Sequence, residues 1–503
     1  MTRRSARKLP SPPAPTAHTG PIRAPFAPQP SLSEARIAEI HDTALRVLEE
    51  LGISVLDDEA RGVFQAAGAR VEGDMVFLGR DIVAEALTTA PKKITLAAPN
   101  PDRSVPLELG RLGYGPGAGC PNVTDRVGGR RPGTLKDFEN ALRLCQHFDA
   151  IQFLGPCCEP QDVPAATRHL AFLRAQLQHS DKAPFLFARG RAQVMEALEL
   201  QAKALGLDDA TFRATPHCMT VINTNSPRLL DRPMGQGILD FARMGQLSII
   251  TPFCLAGAMA PITIEGALVL QHAEALMGIT LAQLARPGAP VIYGAFGSNV
   301  DMRSGAPAFG TPEQIRMTLA SGQLARHIGL PWRSAAGTAA NLADAQGAGE
   351  THMALWATLL AGATMTFHAA GWLEGGLTFG FEKFLIDVEA LQILQSLAMP
   401  PEDGTDVLAW EALADVPPGG HFFATEHTMA RFRDAFHPPL VADLSNHGTW
   451  SAAGGLDTET RATALWQQIV AEAAPPDGAE ARVARIAEDI ARIEARGGTP
   501  ILD

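Results

Sequence analysis

The chain has 503 residues, 46% of them hydrophobic and 19% charged, and carries a formal net charge of −12. That length suits one barrel with terminal additions, and the composition excludes general disorder. With 42 basic against 54 acidic residues, a duplex-binding surface lacks its usual basic excess, so nucleic acid is not an expected partner.

Residues 1–30 are basic and rich in proline without an apolar run, which predicts a disordered tail rather than a secretory signal. Residues 31–110 read as an α+β extension. Within it lie an amphipathic helix from Ser31 to Gly52, a helical run from Asp81 to Ala90 and a strand from Lys93 to Ala97.

From Leu112 onward short apolar runs alternate with helical patterns. The predicted strands are Leu112–Gly115, Ile151–Leu154, Pro184–Ala188, Met219–Asn223, Ser248–Phe253, Val291–Phe296, Trp332–Ala336 and Met365–Ala369. The predicted helices are Leu135–Phe148, Ala165–Gln178, Ala192–Leu205, Met234–Met244, Ile264–Leu284, Pro312–Ile328, Asp344–Ala361 and Glu382–Leu397. Eight such alternations over residues 111–400 point to an α/β protein, a (β/α)8 TIM barrel, with an open doubly wound sheet as the competitor. Residues 401–503 read as a mainly helical segment with a terminal amphipathic helix near Glu480–Arg496. The uncharged stretch Thr351–Leu373 has the length of a membrane span. Its small residues, His368 within it and Gly362 interrupting it favour a buried helix followed by a buried strand, hence a soluble cytoplasmic protein with no membrane partner.

The six cysteines form no C-x-x-C pair, which predicts buried reduced thiols, and no metal site is expected. Cys157, Cys158 and Glu159 are a weak exception. In a barrel the reactive groups come from the C-terminal strand ends. That rule selects Tyr114, Asn223, Asn225 and Trp372 as substrate-binding candidates, and Tyr293, an aromatic on the sixth strand, joins them. The rule also selects His368, Glu374, Asp344, Gln346 and Glu350 as catalytic candidates. Each has a structural alternative. His368 alone in an apolar strand reads equally as a core histidine, and Asp344 as a helix cap. Gln346 and Glu350, one turn apart, share a helix face that solvent alone would explain. The run GPGAG at Gly115–Gly119 resembles the glycine loop of S-adenosylmethionine enzymes, but no helix follows at once, which favours a tight turn. Gly337 and Gly371 suit either a phosphate site or close packing. No G-x-S-x-G, Walker or H-E-x-x-H motif occurs.

Several runs resemble the trimethylamine methyltransferase family. They are NTNSPRLLDRPMGQGILDFARMG at Asn223–Gly245, the run from Pro252 to Gly294, VDMRSGAPAFGTPEQ at Val300–Gln314, DAQGAGE at Asp344–Glu350 and HTMARFRDAFHPPLVAD at His427–Asp443. The resemblance implies a (β/α)8 barrel that moves a methyl group from a methylated amine to a corrinoid (cobalamin) carried by a cognate partner protein. No cofactor is then expected on this chain itself. Archaeal trimethylamine enzymes of the family carry pyrrolysine, whereas this chain has only the standard residues. That departure points to a quaternary amine such as glycine betaine, whose methyl group is electrophilic without further activation. In that reading Tyr114, Tyr293 and Trp372 attract the ammonium and Glu374 adds a counter-charge. Asn223, Asn225 or His368 hold a substrate carboxylate. Two alternatives remain: a lyase or hydrolase using His368 and Glu374, and a non-catalytic binder of quaternary amines. The sequence does not decide between a monomer and a homo-oligomer.

Overall fold

The computed structural model describes residues 20–400 and 403–501. Its centre is a seven-stranded sheet in which six strands run parallel. We label these β1 (Arg111–Tyr114), β2 (Met219–Ile222), β3 (Leu247–Ile250), β4 (Val291–Gly294), β5 (Trp332–Ala335) and β6 (Met365–Phe367). The order is β1-β6-β5-β4-β3-β2, with Ile22–Arg23 pairing antiparallel to β1 at the edge. The principal helices are α1 (Glu34–Arg46), α2 (Leu135–His147), α3 (Arg168–His179), α4 (Arg191–Leu205), α5 (Arg232–Arg243) and α6 (Ile264–Ala285). They continue with α7 (Pro312–His327), α8 (Ala345–Leu360), α9 (Phe381–Ala398), α10 (Thr458–Glu472) and α11 (Ala479–Ala495).

The expected eight-stranded barrel is met in part. All eight expected helices are present, and six of the eight strands. The segments Ile151–Leu154 and Pro184–Ala188 are not regular strands. They join the others only through isolated bridges, Phe153 with Ala183 and Phe185 with Met219, and through the Gln152 N–H donated to Tyr114 O at 2.9 Å. Proline explains the irregularity. Pro184 has no N–H to donate, and Gly155-Pro156 ends the first segment. No closed ring of regular strands is therefore formed. The strand expected to hold His368 stops at Phe367, because His368 adopts φ 58 and turns the backbone out of extension.

Local chemistry sets the helix ends. Thr311 accepts from Gln314 N–H ahead of Pro312, and Asp344 accepts from Gln346 and Gly347 N–H. Helix α6 is long and apolar enough to cross a membrane, yet it is almost wholly buried among its neighbours. Several of its polar side chains find partners inside the protein, though among the described residues Gln271 Oε1 and Thr280 Oγ1 are buried without one. Gln271 donates to Ser321 Oγ, and His272 meets Tyr293 and His41. The stretch Thr351–Leu373 divides between α8 and β6, both buried on their inner faces.

The proline-rich tail departs from expectation where it is described. Ile22 is buried, and Gln29 N–H donates to Leu360 O at 2.7 Å, so residues 20–30 lie along the body. Residues 1–19 of that expected tail lie outside the described residues. At the other terminus, α10 packs on α9, with Thr463 and Trp466 donating to Glu382, and α11 packs on α3 and α4. Between α9 and α10, residues 403–440 are mostly exposed.

Candidate functional site

A cavity of about 730 Å³ lies at the C-terminal ends of the parallel strands. The loop after β1 brings Ala118 to it, the loop after β2 brings Asn223 to Ser226, β5 brings Arg333, and the end of β6 brings Phe367 and His368. Phe185, Phe187, Phe253, Phe296, Phe367 and Trp372 give it aromatic walls. The volume falls in the range of small-molecule sites, and Asn223, Asn225, Asp231 and Arg189 add polar groups beside the aromatic walls.

Arg333 is the unusual residue of this cavity. It is only 2% exposed and sits between Phe296 and Phe367, 5.0 and 5.3 Å from their ring centres. Its Nη2 meets His368 Nε2 at 3.0 Å, while its Nε and Nη1 are buried without a partner. Among the described residues no carboxylate pairs with it, and burial alone pulls its pKa down to about 9. The side chain thus remains cationic at neutral pH. An uncompensated buried charge is costly, and the guanidinium fork matches a carboxylate with two parallel hydrogen bonds.

His368 is held on every side. Its N–H donates to Pro116 O, and its Nδ1 faces the Ala118 N–H at 3.2 Å. Its ring stacks on Trp372 at 4.6 Å. Burial, and next the Arg333 charge, hold its pKa well below the ordinary histidine range, so the ring is neutral. A neutral imidazole has a single acceptor nitrogen. Arg333 and the Ala118 N–H both aim at this ring, so the group is one acceptor short even before the orphaned Arg333 donors are considered. An anion would supply what is missing.

Asn223 and Asn225 line the same cavity, as does Trp372. The loop carrying both asparagines is tied down from outside. Glu274 on α6 accepts from Thr224 Oγ1 at 2.5 Å, Ser226 Oγ at 2.6 Å and Arg228 N–H at 2.7 Å. Burial raises the Glu274 pKa, and these donors oppose the rise. Trp372 is fixed by close packing. A Cβ on Gly337, at φ 106, would lie 2.1 Å from its ring, and one on Gly371 would lie 2.6 Å from Phe379. Close packing therefore accounts for both glycines. The run Gly115–Gly119 is likewise a tight wall, because a Cβ on Gly115 would meet Phe153 at 2.1 Å.

The remaining candidates lie elsewhere. Tyr293 turns to the helix layer, where its hydroxyl meets His272 Nδ1 at 3.1 Å. Tyr114 is buried and does not line the cavity. Alternation along a strand puts neighbouring residues on opposite faces, and Tyr293 takes the outward one. Glu374 lines a separate cavity of about 620 Å³, its carboxylate held by Arg130 at 2.9 Å. Asp344 caps α8. Gln346 donates to Glu350, which accepts from the Thr338 hydroxyl and from Ala339 N–H at 2.9 Å. These three residues brace the loop after β5 and do not reach the cavity. Cys157 lies 3.9 Å from Cys145, sulfur to sulfur, and the Glu159 carboxylate is taken by Arg168 and Arg189. The weak metal grouping is not assembled. The sequence reading passed over Arg333, Phe296 and Glu274. The visible signal for Arg333 is a single charge inside the otherwise uncharged run Trp332–Ala336.

Comparison with known proteins gives a consistent picture. The family model described as trimethylamine methyltransferase matches residues 1–498. A glycine betaine methyltransferase of Desulfitobacterium hafniense (strain Y51) is 36% identical over 447 residues, covering 88% of this chain and 93% of that protein. A trimethylamine methyltransferase of D. hafniense (strain DSM 10664 / DCB-2) is 28% identical, covering 86% of this chain and 87% of that protein. A looser likeness is found to the crystal structure of the Methanosarcina barkeri monomethylamine methyltransferase. It has a TM-score of 0.42 at 9% identity and covers 90% of this chain and 97% of that one.

Proposed function

The chain belongs to the trimethylamine methyltransferase family, and from that premise we propose that it demethylates a betaine, a quaternary amine bearing a carboxylate. We further propose that the acceptor is a corrinoid protein and that the sheet closes as a (β/α)8 barrel through its two irregular segments. The observation that carries the substrate reading is Arg333, a buried cation with two orphaned donors and, among the described residues, no counter-charge.

The chemistry is economical. A quaternary nitrogen leaves as a neutral tertiary amine once its methyl group is taken, so no general acid is needed at nitrogen. That agrees with a neutral His368 and a Glu374 locked to Arg130 outside the cavity. It also leaves the lyase or hydrolase reading without an acid–base pair. Phe296, Phe367 and Trp372 offer ring faces to the ammonium, each worth about 0.5–2 kcal/mol. Arg333 anchors the carboxylate and so fixes which end of the molecule faces out of the cavity. A corrinoid presented at the cavity would supply a reduced cobalt as the methyl acceptor. The apolar walls fit that role, since they exclude water from the transfer while leaving the cage to this chain. The glycine betaine activity of the D. hafniense relative supports the same substrate class.

The test is a substrate panel with purified protein and free cob(I)alamin, followed by absorbance. Glycine betaine is expected to yield methylcobalamin faster than tetramethylammonium, choline or trimethylamine. Arg333→Gln is expected to lower kcat/KM for betaine by roughly 10²–10³, the cost of a lost charged hydrogen-bond pair. Its effect on tetramethylammonium should stay under about tenfold. Equal use of substrates with and without a carboxylate would sink the proposal.

A further inference from the structure

Asp231 is the only carboxylate among the described residues that line the large cavity, where two cations, Arg189 and Arg333, also stand. Arg189 is already engaged: its guanidinium lies 4.1 Å from the Phe187 ring centre and pairs with Glu159. Asp231 is only half engaged. One of its oxygens accepts from Met234 N–H at 2.9 Å and so caps α5. Among the described residues the other oxygen has no donor, and no cation pairs with the group.

The local sequence sets this position from both sides. Leu229–Leu230 pairs parallel with Ile53–Val55 of the N-terminal extension, and Leu56 N–H donates to Leu230 O at 2.9 Å. That pairing ends the loop after β2 and delivers the next residue to the start of α5. There the Asp231 N–H donates to Asn225 Oδ1 at 3.2 Å, and Pro233 fixes the first helical turn.

Arg333 enters the cavity from β5, whereas Asp231 follows the loop after β2, with β3 and β4 between them in the sheet. The two unpaired charges thus belong to different walls. A lone cation in an aromatic cavity would hold any small carboxylate, including those with no methylated nitrogen to offer. An opposed carboxylate penalises such ligands and favours one with a positive end.

We propose that Asp231 is a specificity-determining residue that faces the ammonium end of the substrate, so that the cavity reads a zwitterion by both of its charges. This rests on the betaine reading above and adds the second pole to it. The counter-charge expected of Glu374 is spent on Arg130 outside the cavity. Asp231 takes that role within it. The positive end of the α5 dipole offsets part of its charge, which keeps the attraction moderate.

Three probes separate the poles in the full chain: glycine betaine carries both charges, tetramethylammonium only the cation, and tert-butylacetate only the carboxylate. Binding is read by titration calorimetry. Asp231→Asn removes the charge and keeps the cap, because asparagine caps as well as aspartate, so its thermal midpoint should match wild type. It is expected to weaken glycine betaine and tetramethylammonium by roughly 10–100-fold, and to hold tert-butylacetate at least as tightly as wild type does. Arg333→Gln should show the reverse pattern, losing tert-butylacetate and keeping tetramethylammonium. An Asp231→Asn protein that holds tetramethylammonium like wild type, or that weakens all three probes alike, would reduce Asp231 to its cap and overturn the proposal. Arg333→Gln without effect on tert-butylacetate would instead overturn the betaine reading, and the tetramethylammonium result at Asp231 would be judged separately.

Discussion

Two buried cations near the strand ends are treated in opposite ways. Lys383 is fully buried, and its ammonium reaches the Asp387 carboxylate and Thr351 Oγ1; the other Asp387 oxygen accepts from Gly371 N–H at 2.9 Å. Arg333 is as deeply buried, yet among the described residues it has no carboxylate, and two of its donors have no hydrogen-bond partner. Burial lowers both pKa values, but only Lys383 has an acid whose charge opposes the shift. A buried cation with a filled shell holds elements together. One with an open shell is, in the proposed reading, a binding group placed in advance of its ligand, and the fold bears its cost.

The largest expected effect tests that distinction through stability. Lys383→Met leaves Asp387 alone in the interior and should cost about 3–5 kcal/mol in chemical denaturation. Lys383→Met with Asp387→Leu should recover most of that loss. Arg333→Met should stay within about 1 kcal/mol of wild type or exceed it, because it removes an unpaired charge. If the Arg333 substitution proved as damaging as the Lys383 one, the contrast would fail.

Acid sensitivity is the next effect. Unfolded histidine takes a proton near pH 6.5, whereas folded His368 takes one only well below that. The unfolded state therefore binds more protons as the pH falls from 6.5, and stability declines, by about 1.4 kcal/mol per pH unit for this one group. His368→Gln should flatten the acid limb by that slope. An unchanged limb would mean that the ring is already protonated.

The smallest effects separate the aromatics. Trp372→Leu should raise KM for betaine by roughly 3–30-fold, the value of one ring face. Tyr293→Phe should change KM by less than about twofold, since its hydroxyl serves His272 on the helix side. A larger effect at Tyr293 than at Trp372 would reverse the assignment of faces.

Helices were the most legible part of the sequence, because their signals are local. Thr311-Pro312-Glu313 and Asp344 mark starts that the structure reproduces. Strand existence was nearly as readable, but Pro184 and Gly155-Pro156 reduced two strands to bridges. Which face a strand residue takes was not readable, and that is why Tyr114 and Tyr293 were placed with Trp372 though only Trp372 reaches the cavity. Partnership was the least legible property. Arg333 becomes informative only when the rest of the fold is seen to offer it no acid, and Glu274 only when three donors from a distant loop converge on it.

His368 holds its ring in place with a left-handed backbone, φ 58, where any side chain costs about 1 kcal/mol relative to glycine. One strand away stands the unpaired Arg333. Replacing either residue is expected to leave the resting protein about as stable or slightly more so, whereas the proposed site depends on both. Selection for heat resistance alone would therefore erode these two positions first. Selection for growth on the substrate would keep them and take up compensating changes elsewhere.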